Sequence, residues 1–274
     1  MSQDPRPSAL ATLEGATDEC VFGGKAAQLA AALRAGLPVP GGFALGWDSV
    51  RAARAGELDV GPLLVALAPG PWAVRSSAIG EDSAAASFAG THLSVLGVVG
   101  VAAVRDAVHR VHDSAHDPAA IAYREQHGLD PAPRMAVVLQ EMVPSDVAGV
   151  LFTRHPITGA RERLIEASWG LGEVVVSGEV TPDQYRLSPD GILLECSTGE
   201  KDIALRLHPD GRVEEQRVDD RLVEARCLDE SMLSALHRLA SACDAVFGVE
   251  DHDIEFAFVG EHLFLLQRRP ITHG

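Results

Sequence analysis

DIEFAFVGEHLFLLQRRP, residues 253–270, carries the clearest signal of the fold in this sequence. Polar and apolar residues alternate on both sides of Gly260, which predicts two β-strands joined by a short turn. Because successive side chains of a strand point to opposite faces, Asp253 and Glu255 share one face and the two phenylalanines share the other. The stretch therefore predicts a hairpin whose polar side chains gather on one face.

The length of the loop sets which residues of the two strands lie opposite each other. A three-residue loop, from Gly260 to His262, pairs Val259 with Leu263. The same register places two polar pairs on one face: Glu255 with Gln267, and Asp253 with Arg269. A two-residue loop would break this pairing, so the interpretation depends on the turn.

The paired polar residues indicate a chemistry. A carboxylate beside an amide oxygen suits a hard cation such as Mg2+, and an adjacent arginine suits a phosphate. The alternative is that Glu255 and Gln267 form only the solvent face of an edge hairpin. The hairpin by itself does not separate these two interpretations.

The composition limits the ligands that the protein can take. Of its 274 residues, 46% are hydrophobic but only 5% are aromatic, so Ala, Val and Leu must fill the core. A formal charge of −16 argues against a nucleic-acid or anionic-membrane surface. A phosphate ligand therefore needs a local cluster of positive charge, and the only lysines are Lys25 and Lys201.

The sequence shows neither the pattern of a signal peptide nor that of a membrane-spanning helix. The first residues, MSQDPRPSAL, lack the apolar core of a signal peptide, and no run approaches the ~18 apolar residues of a membrane-spanning helix. The four cysteines form no CxxC pair: Cys20, Cys196, Cys227 and Cys243. We therefore expect reduced thiols in a cytoplasmic protein.

A lysine follows two glycines at the start of a predicted helix. Gly23, Gly24 and Lys25 precede an Ala- and Leu-rich run that ends at Gly36. Such a helix start presents N–H groups to an anion, and Lys25 adds a mobile charge. The spacing is not that of a GxxxxGK[ST] phosphate loop, so a solvated lysine is an equal alternative.

The sequence pattern also predicts a strand before Arg75, a loop after it and a helix near the C-terminal hairpin. The run from Trp72 to Val74 predicts a strand that leads to Arg75 and then to a loop of small and hydroxylated residues. Small residues allow a close approach to phosphate oxygens, although a mobile surface loop has the same composition. Residues 228–247 have the period of an amphipathic helix, which Gly248 ends.

Five segments, in this order, resemble the N-terminal nucleotide-binding domain of the phosphoenolpyruvate synthase and pyruvate phosphate dikinase family, which includes rifampin phosphotransferases: GGKAAQLAAALRAGLPVPGGFAL, WAVRSSAIGEDSAAASFAG, AVVLQEMVPSDVAGVLFTRHPITG, EASWGLGEVVVSGEVTPDQY and DIEFAFVGEHLFLLQRRPIT. The resemblance implies an α+β, ATP-grasp-like fold. Its two lobes, residues 1–130 and 131–274, would hold ATP between antiparallel sheets.

The resemblance also implies roles for matching residues. Lys25 and Arg75 would contact the ATP phosphates, and Arg269 would stabilise the transferred phosphoryl group. Glu255 and Gln267 would bind Mg2+. These roles agree with what phosphoryl transfer requires, namely in-line positioning, a bridging metal and cations where charge develops.

Further implied contacts lie in the middle of the chain. Main-chain groups and apolar contact from a hinge would hold adenine: Gln140, Glu141, Met142 and Val143. The loop from Glu81 to Thr91, including Gly90 and Thr91, would close over the phosphates. Glu166 and Glu173 are weaker candidates for metal or ribose contacts.

The family's phosphoryl-carrying motif, a Gly-rich Thr-Ser-His segment, is absent from this sequence. We therefore expect a separate carrier protein or domain to supply the histidine and to bind the acceptor, with AMP and phosphate as products. One alternative is a kinase that phosphorylates a small molecule directly. The other is a regulatory ATP-binding module, which is disfavoured because all five implied phosphate and metal residues are present.

Overall fold

The computed structural model describes residues 10–65, 70–79, 93–126, 133–248 and 251–271. The chain divides into two compact units, Met1–Ala31 with Gly41–Met142 and Ala32–Pro40 with Val143–Gly274. Each unit combines helices with antiparallel strands, so the expected α+β class with antiparallel sheets is confirmed. Within the described ranges, no helix is long and apolar enough to cross a bilayer.

The first unit is built on a five-stranded sheet of order β1-β2-β5-β3-β4. Its elements in chain order are β1 (Leu10–Thr12), a 3-10 turn (Leu13–Gly15), α1 (Glu19–Arg34, whose last residues belong to the second unit), β2 (Gly42–Leu45), α2 (Trp47–Arg54), α3 (Gly61–Leu64), β3 (Trp72–Ala78), β4 (Ser94–Val98), α4 (Val101–Ala115), α5 (Pro118–Gln126) and β5 (Met135–Glu141).

One face of this sheet forms an apolar core. Val74 of β3 and Leu139 of β5 pair directly, and both pack with Val104 and Val108 of α4. β5 lies in the middle of the sheet, whereas the predicted boundary at residue 130 assigned it to the C-terminal lobe. The division into functional lobes at that residue stays a prediction.

The second unit is built on a six-stranded sheet of order β13-β12-β6-β7-β8-β9 and a separate pair, β10-β11. Its elements in chain order are β6 (Val147–Phe152), β7 (Arg163–Trp169), α6 (Glu173–Val176), β8 (Asp183–Leu187), β9 (Leu193–Ser197), β10 (Ile203–Leu207), β11 (Val213–Arg217), α7 (Glu230–Phe247), β12 (His252–Val259) and β13 (His262–Pro270).

Helix α7 packs against the terminal hairpin. It begins two residues later than predicted because the Asp229 side chain caps it, accepting the Met232 N–H at 2.8 Å. Gly248, with φ of 62°, ends it as expected. Its buried stripe is the predicted one: Leu233, Leu236, Leu239, Ala240 and Cys243.

A buried ion pair lies at the start of β8 in the second unit. Lys201 and Asp183 are fully buried, and Lys201 Nζ lies 2.5 Å from Asp183 Oδ1. The backbone N–H groups of Gly199 and Cys227 also donate to this carboxylate. Burial alone would raise the pKa of Asp183, but these donors outweigh it and the pKa falls below its usual value. One carboxylate thus ties β8 to two following loops.

We expect Lys201→Met to lower the free energy of unfolding by about 3–5 kcal/mol, because it leaves the Asp183 charge buried without its cation. The measurement is equilibrium urea unfolding. Arg221→Met is the control, since its ion pair with Asp219 is exposed, and no measurable change in the free energy of unfolding is expected there. Equal small effects of the two substitutions would contradict this prediction.

Candidate functional site

Three side chains of the first unit share the sheet face opposite the apolar core. Arg75 and Ser77 lie two residues apart on β3, and Gln140 lies opposite Ala73, which shares their face. Arg75 Nη1 donates to Gln140 Oε1 at 3.0 Å, and both residues are buried. The structure therefore brings the predicted phosphate-binding Arg75 and the predicted hinge residue Gln140 into contact.

The turn that carries Lys25 is fixed against the same face. Helix α1 is interrupted at Gly23, whose φ of 82° is in the region that favours glycine. The Ala26 N–H donates to Ser77 Oγ at 3.1 Å, so the start of the second helical segment lies on β3. Lys25 is buried at this point rather than exposed, which removes the solvated-lysine alternative.

The predicted adenine hinge has part of its main chain already engaged. The Glu141 N–H donates to Gly41 O at 2.9 Å, and the Met142 N–H donates to Pro71 O at 3.1 Å. For Val143 N–H, the residues that the structure describes offer no backbone acceptor. Adenine binding by this segment stays a prediction.

Two predicted residues, Gly90 and Thr91, lie outside the residues that the structure describes, as does the rest of the predicted phosphate loop from Glu81. Their role over the phosphates stays a prediction.

The terminal hairpin has a different loop from the one expected. Val259 pairs with His262 across a two-residue loop that begins at Gly260 with φ of 55°. The predicted three-residue loop, with Val259 opposite Leu263, is therefore wrong. Glycine at this first loop position allows the tight connection that natural hairpins favour.

The predicted polar pairs are nevertheless present. Glu255 lies opposite Gln267, and Asp253 lies opposite Arg269. The reason is a β-bulge: the register shifts between Glu255 and Phe256, where β13 contributes the extra residue Leu266. One additional residue in the strand compensates for one fewer residue in the loop.

An ion pair lies beside the predicted metal ligands. Arg269 Nε donates to Asp253 Oδ2 at 2.7 Å. Burial raises the pKa of Asp253, Arg269 opposes that rise, and the charge of Glu255 adds to it. Asp253 and Glu255 lie two residues apart on β12, so their carboxylates share the face that also carries Gln267.

The donor set fits Mg2+ that arrives with a nucleotide. Carboxylate and amide oxygens are the ligands that Mg2+ accepts, but it needs six, and phosphate oxygens and water commonly supply most of them. In the part of the chain that the structure describes, no three His, Cys, Asp or Glu side chains form a metal cluster. Glu255 and Gln267 can therefore hold such an ion only together with other ligands.

The weaker candidate Glu166 lies on the same face of the sheet. Glu255 is opposite Val150 of β6, and Val150 is opposite Glu166 of β7. Gln184 of β8 donates to Glu166 at 2.8 Å. Glu173, in contrast, is the first residue of α6 rather than part of a strand.

Arg268 faces the core side of the hairpin, unlike its neighbour Arg269. It is buried, its Nε donates to His252 Nδ1 at 2.8 Å, and its guanidinium lies 4.5 Å from the centroid of the Phe247 ring. His252 is therefore neutral, with its proton on Nε2. Burial, and then the charge of Arg268, lower the pKa of His252 to about 4. Sequence reasoning missed this network, although two consecutive arginines in a strand must face opposite sides.

A family model described as "Pyruvate phosphate dikinase, AMP/ATP-binding domain" matches residues 64–274, a range that includes every predicted site residue except Lys25. A "Probable phosphoenolpyruvate synthase" of Methanothermobacter thermautotrophicus is 43% identical over 202 residues, covering 73% of this chain and 29% of that protein. A "Rifampicin phosphotransferase" of Bacillus subtilis is 35% identical over 203 residues, covering 73% and 23%. The chain thus spans less than a third of either relative.

Among solved structures, a D-alanine–D-alanine ligase from Bacillus anthracis aligns with 92% of this chain and 57% of its own length, at 8% identity and a TM-score of 0.36. A score this low does not bear on the site or its chemistry.

The His252 network predicts a dependence of stability on pH. The unfolded state gains a proton at His252 as the pH falls through about 6.5, whereas the folded state resists it until about 4. The free energy of unfolding should therefore fall across this window. In His252→Asn, whose amide oxygen can still accept from Arg268, this contribution should vanish. The measurement is urea unfolding from pH 7 to pH 4.5, and identical pH profiles for the two proteins would contradict it.

Proposed function

We propose that this chain, which belongs to the pyruvate phosphate dikinase AMP/ATP-binding domain family, phosphorylates a histidine on a separate carrier protein or domain and releases AMP and phosphate. Because the family is described as an AMP/ATP-binding domain, the nucleotide that this chain binds is ATP. The observation that carries the proposal is the gathering of Glu255, Gln267 and Arg269 on one face of the β12–β13 hairpin.

The cations of the first unit support the same proposal. In a chain of net charge −16, Arg75 lies on β3, and the turn that carries Lys25 is hydrogen-bonded to Ser77 on the same face of that strand. Lys25 is one of only two lysines. Positive groups held in a buried setting stabilise phosphate charge far better than exposed ones do. Lys25 and Arg75 would hold the nucleotide's phosphates in line for transfer.

The metal would be held in the second unit. Glu255 and Gln267 would hold Mg2+, which would supply positive charge to the phosphates. Arg269 would turn from Asp253 towards the phosphoryl group in transfer. Both phosphoanhydride bonds of ATP break, one phosphoryl group passing to the histidine nitrogen and the other to water. The residues position ATP, and no covalent intermediate forms on this chain.

In this proposal, a protein or domain other than these 274 residues binds the phosphoryl acceptor. One relative is named a phosphoenolpyruvate synthase, and the chain matches 29% of its length. The name rifampicin phosphotransferase favours a second candidate, in which the acceptor is a small molecule such as an antibiotic. Binding of a nucleic acid or a membrane is not part of either proposal.

The product of ATP separates the two candidates. With adenine-labelled ATP, Mg2+ and a histidine-carrier protein, we expect labelled AMP, free phosphate and a phosphorylated carrier in equal amounts. Without the carrier, AMP should not accumulate. Formation of ADP with a small acceptor alone would contradict the histidine route and favour the direct kinase. The readout is thin-layer chromatography of the labelled nucleotides.

We expect Glu255→Ala or Gln267→Ala to lower the rate of phosphoryl transfer by about 100-fold or more, since each removes a metal ligand. The matched controls are Glu215→Ala and Gln216→Ala on the exposed strand β11, which should act as the wild type does. Circular dichroism would confirm that all four variants fold. Activity retained by either hairpin variant would count against the metal assignment.

A further inference from the structure

We propose that Ser77 is a positioning residue for Lys25: its hydroxyl fixes the backbone turn from which the lysine side chain begins. This inference rests on the proposed function, in which Lys25 contacts the phosphates of ATP. Ser77 touches neither ATP nor the metal in this arrangement and acts only through Lys25.

Two hydrogen bonds join the Ser77 hydroxyl to the lysine turn. The hydroxyl donates to Phe22 O at 2.8 Å and accepts the Ala26 N–H at 3.1 Å. These partners lie on the two sides of Lys25 in the sequence. The hydroxyl therefore caps the second segment of α1 as an N-cap residue would, although it belongs to a strand 51 residues away from Ala26.

Gly23 brings the same turn against the main chain of β3. A Cβ atom at this position would lie 2.1 Å from Ser77 O, a distance that no side chain tolerates, and the φ of 82° also favours glycine. Lys25, two residues further on, is 5% exposed. Contacts with both the side chain and the main chain of Ser77 thus define where the lysine starts.

The neighbouring Ser76 provides an internal comparison. Both serines are almost fully buried, but alternation along β3 directs Ser76 to the apolar side of the sheet and Ser77 to the Lys25 side. Ser76 Oγ has no hydrogen-bond partner among the residues that the structure describes. Removal of the Ser77 hydroxyl therefore breaks two hydrogen bonds, whereas removal of the Ser76 hydroxyl breaks none among the described residues.

The position of Lys25 matters to ATP but not to adenosine. The lysine would meet only phosphates, and its long side chain loses the least freedom when the backbone beneath it is already fixed. Loss of the Ser77 hydroxyl should then weaken the binding of the triphosphate and leave that of the nucleoside unchanged. A general loosening of the fold would weaken both.

The test compares the full 274-residue chain with Ser77→Ala, Lys25→Met, their double variant and Ser76→Ala. Dissociation constants for ATP with Mg2+ come from titration calorimetry, and those for adenosine from NMR titration. We expect Ser77→Ala to weaken ATP binding about 10-fold with adenosine unchanged. It should add nothing in the Lys25→Met background, because the group it positions is gone. Ser76→Ala should bind both ligands as the wild type does.

The outcomes separate this inference from the proposed function. Normal ATP binding by Ser77→Ala, with weakened binding by Lys25→Met, overturns the inference alone. Additive losses in the double variant, or equal losses for ATP and adenosine, also overturn it, because Ser77 then acts on the fold. Normal ATP binding by Lys25→Met removes the proposed role of the lysine and the inference with it.

A second substitution covers the case in which Ser77→Ala does not fold. Ser77→Cys retains a small polar side chain but forms weaker hydrogen bonds. It should show the same selective loss for ATP, smaller in size, and a folded Ser77→Cys protein with normal ATP affinity would overturn the inference.

Discussion

The backbone pairing of β12 with β13 across the bulge is the constraint on which the proposed metal site depends. Leu265 lies opposite Phe256 on the core side, and the extra residue Leu266 then shifts the alternation, so that Gln267 lies opposite Glu255 on the other side. Without that shift, strict alternation along β13 would put Gln267 on the side of Leu265, against α7. Because of the bulge, Gln267 and Arg269 lie on the face that carries Glu255 and Asp253.

Two neighbouring arginines show how strongly this geometry sorts charge. Arg268 is held on the core side by His252 and the Phe247 ring, whereas Arg269 lies on the polar side with Asp253 as its partner. Burial raises the pKa of Asp253, and the neighbouring Arg269 opposes that rise.

The sequence predicted local pattern well and long-range contacts poorly. The stripe and the end of α7 followed from period and from Gly248, and the pairs of Glu255 and Asp253 were predicted correctly from a loop that proved wrong. Nothing in the local sequence shows that Leu266 forms a bulge, because Leu265 and Leu266 would also fit two successive positions of a regular strand. The bond between Ser77 and the lysine turn was not foreseen either, because it joins segments 51 residues apart. The composition indicated many hydroxyl groups after Arg75, but not which of them forms hydrogen bonds with the backbone of the lysine turn.

The most direct measurement is a crystal structure of the protein with Mn2+ and a non-hydrolysable ATP analogue, with the metal located by its anomalous scattering. We predict a peak within about 2.0–2.3 Å of oxygens from both the Glu255 carboxylate and the Gln267 amide, with phosphate oxygens among the remaining ligands. A bound analogue whose metal lies away from both side chains would contradict it.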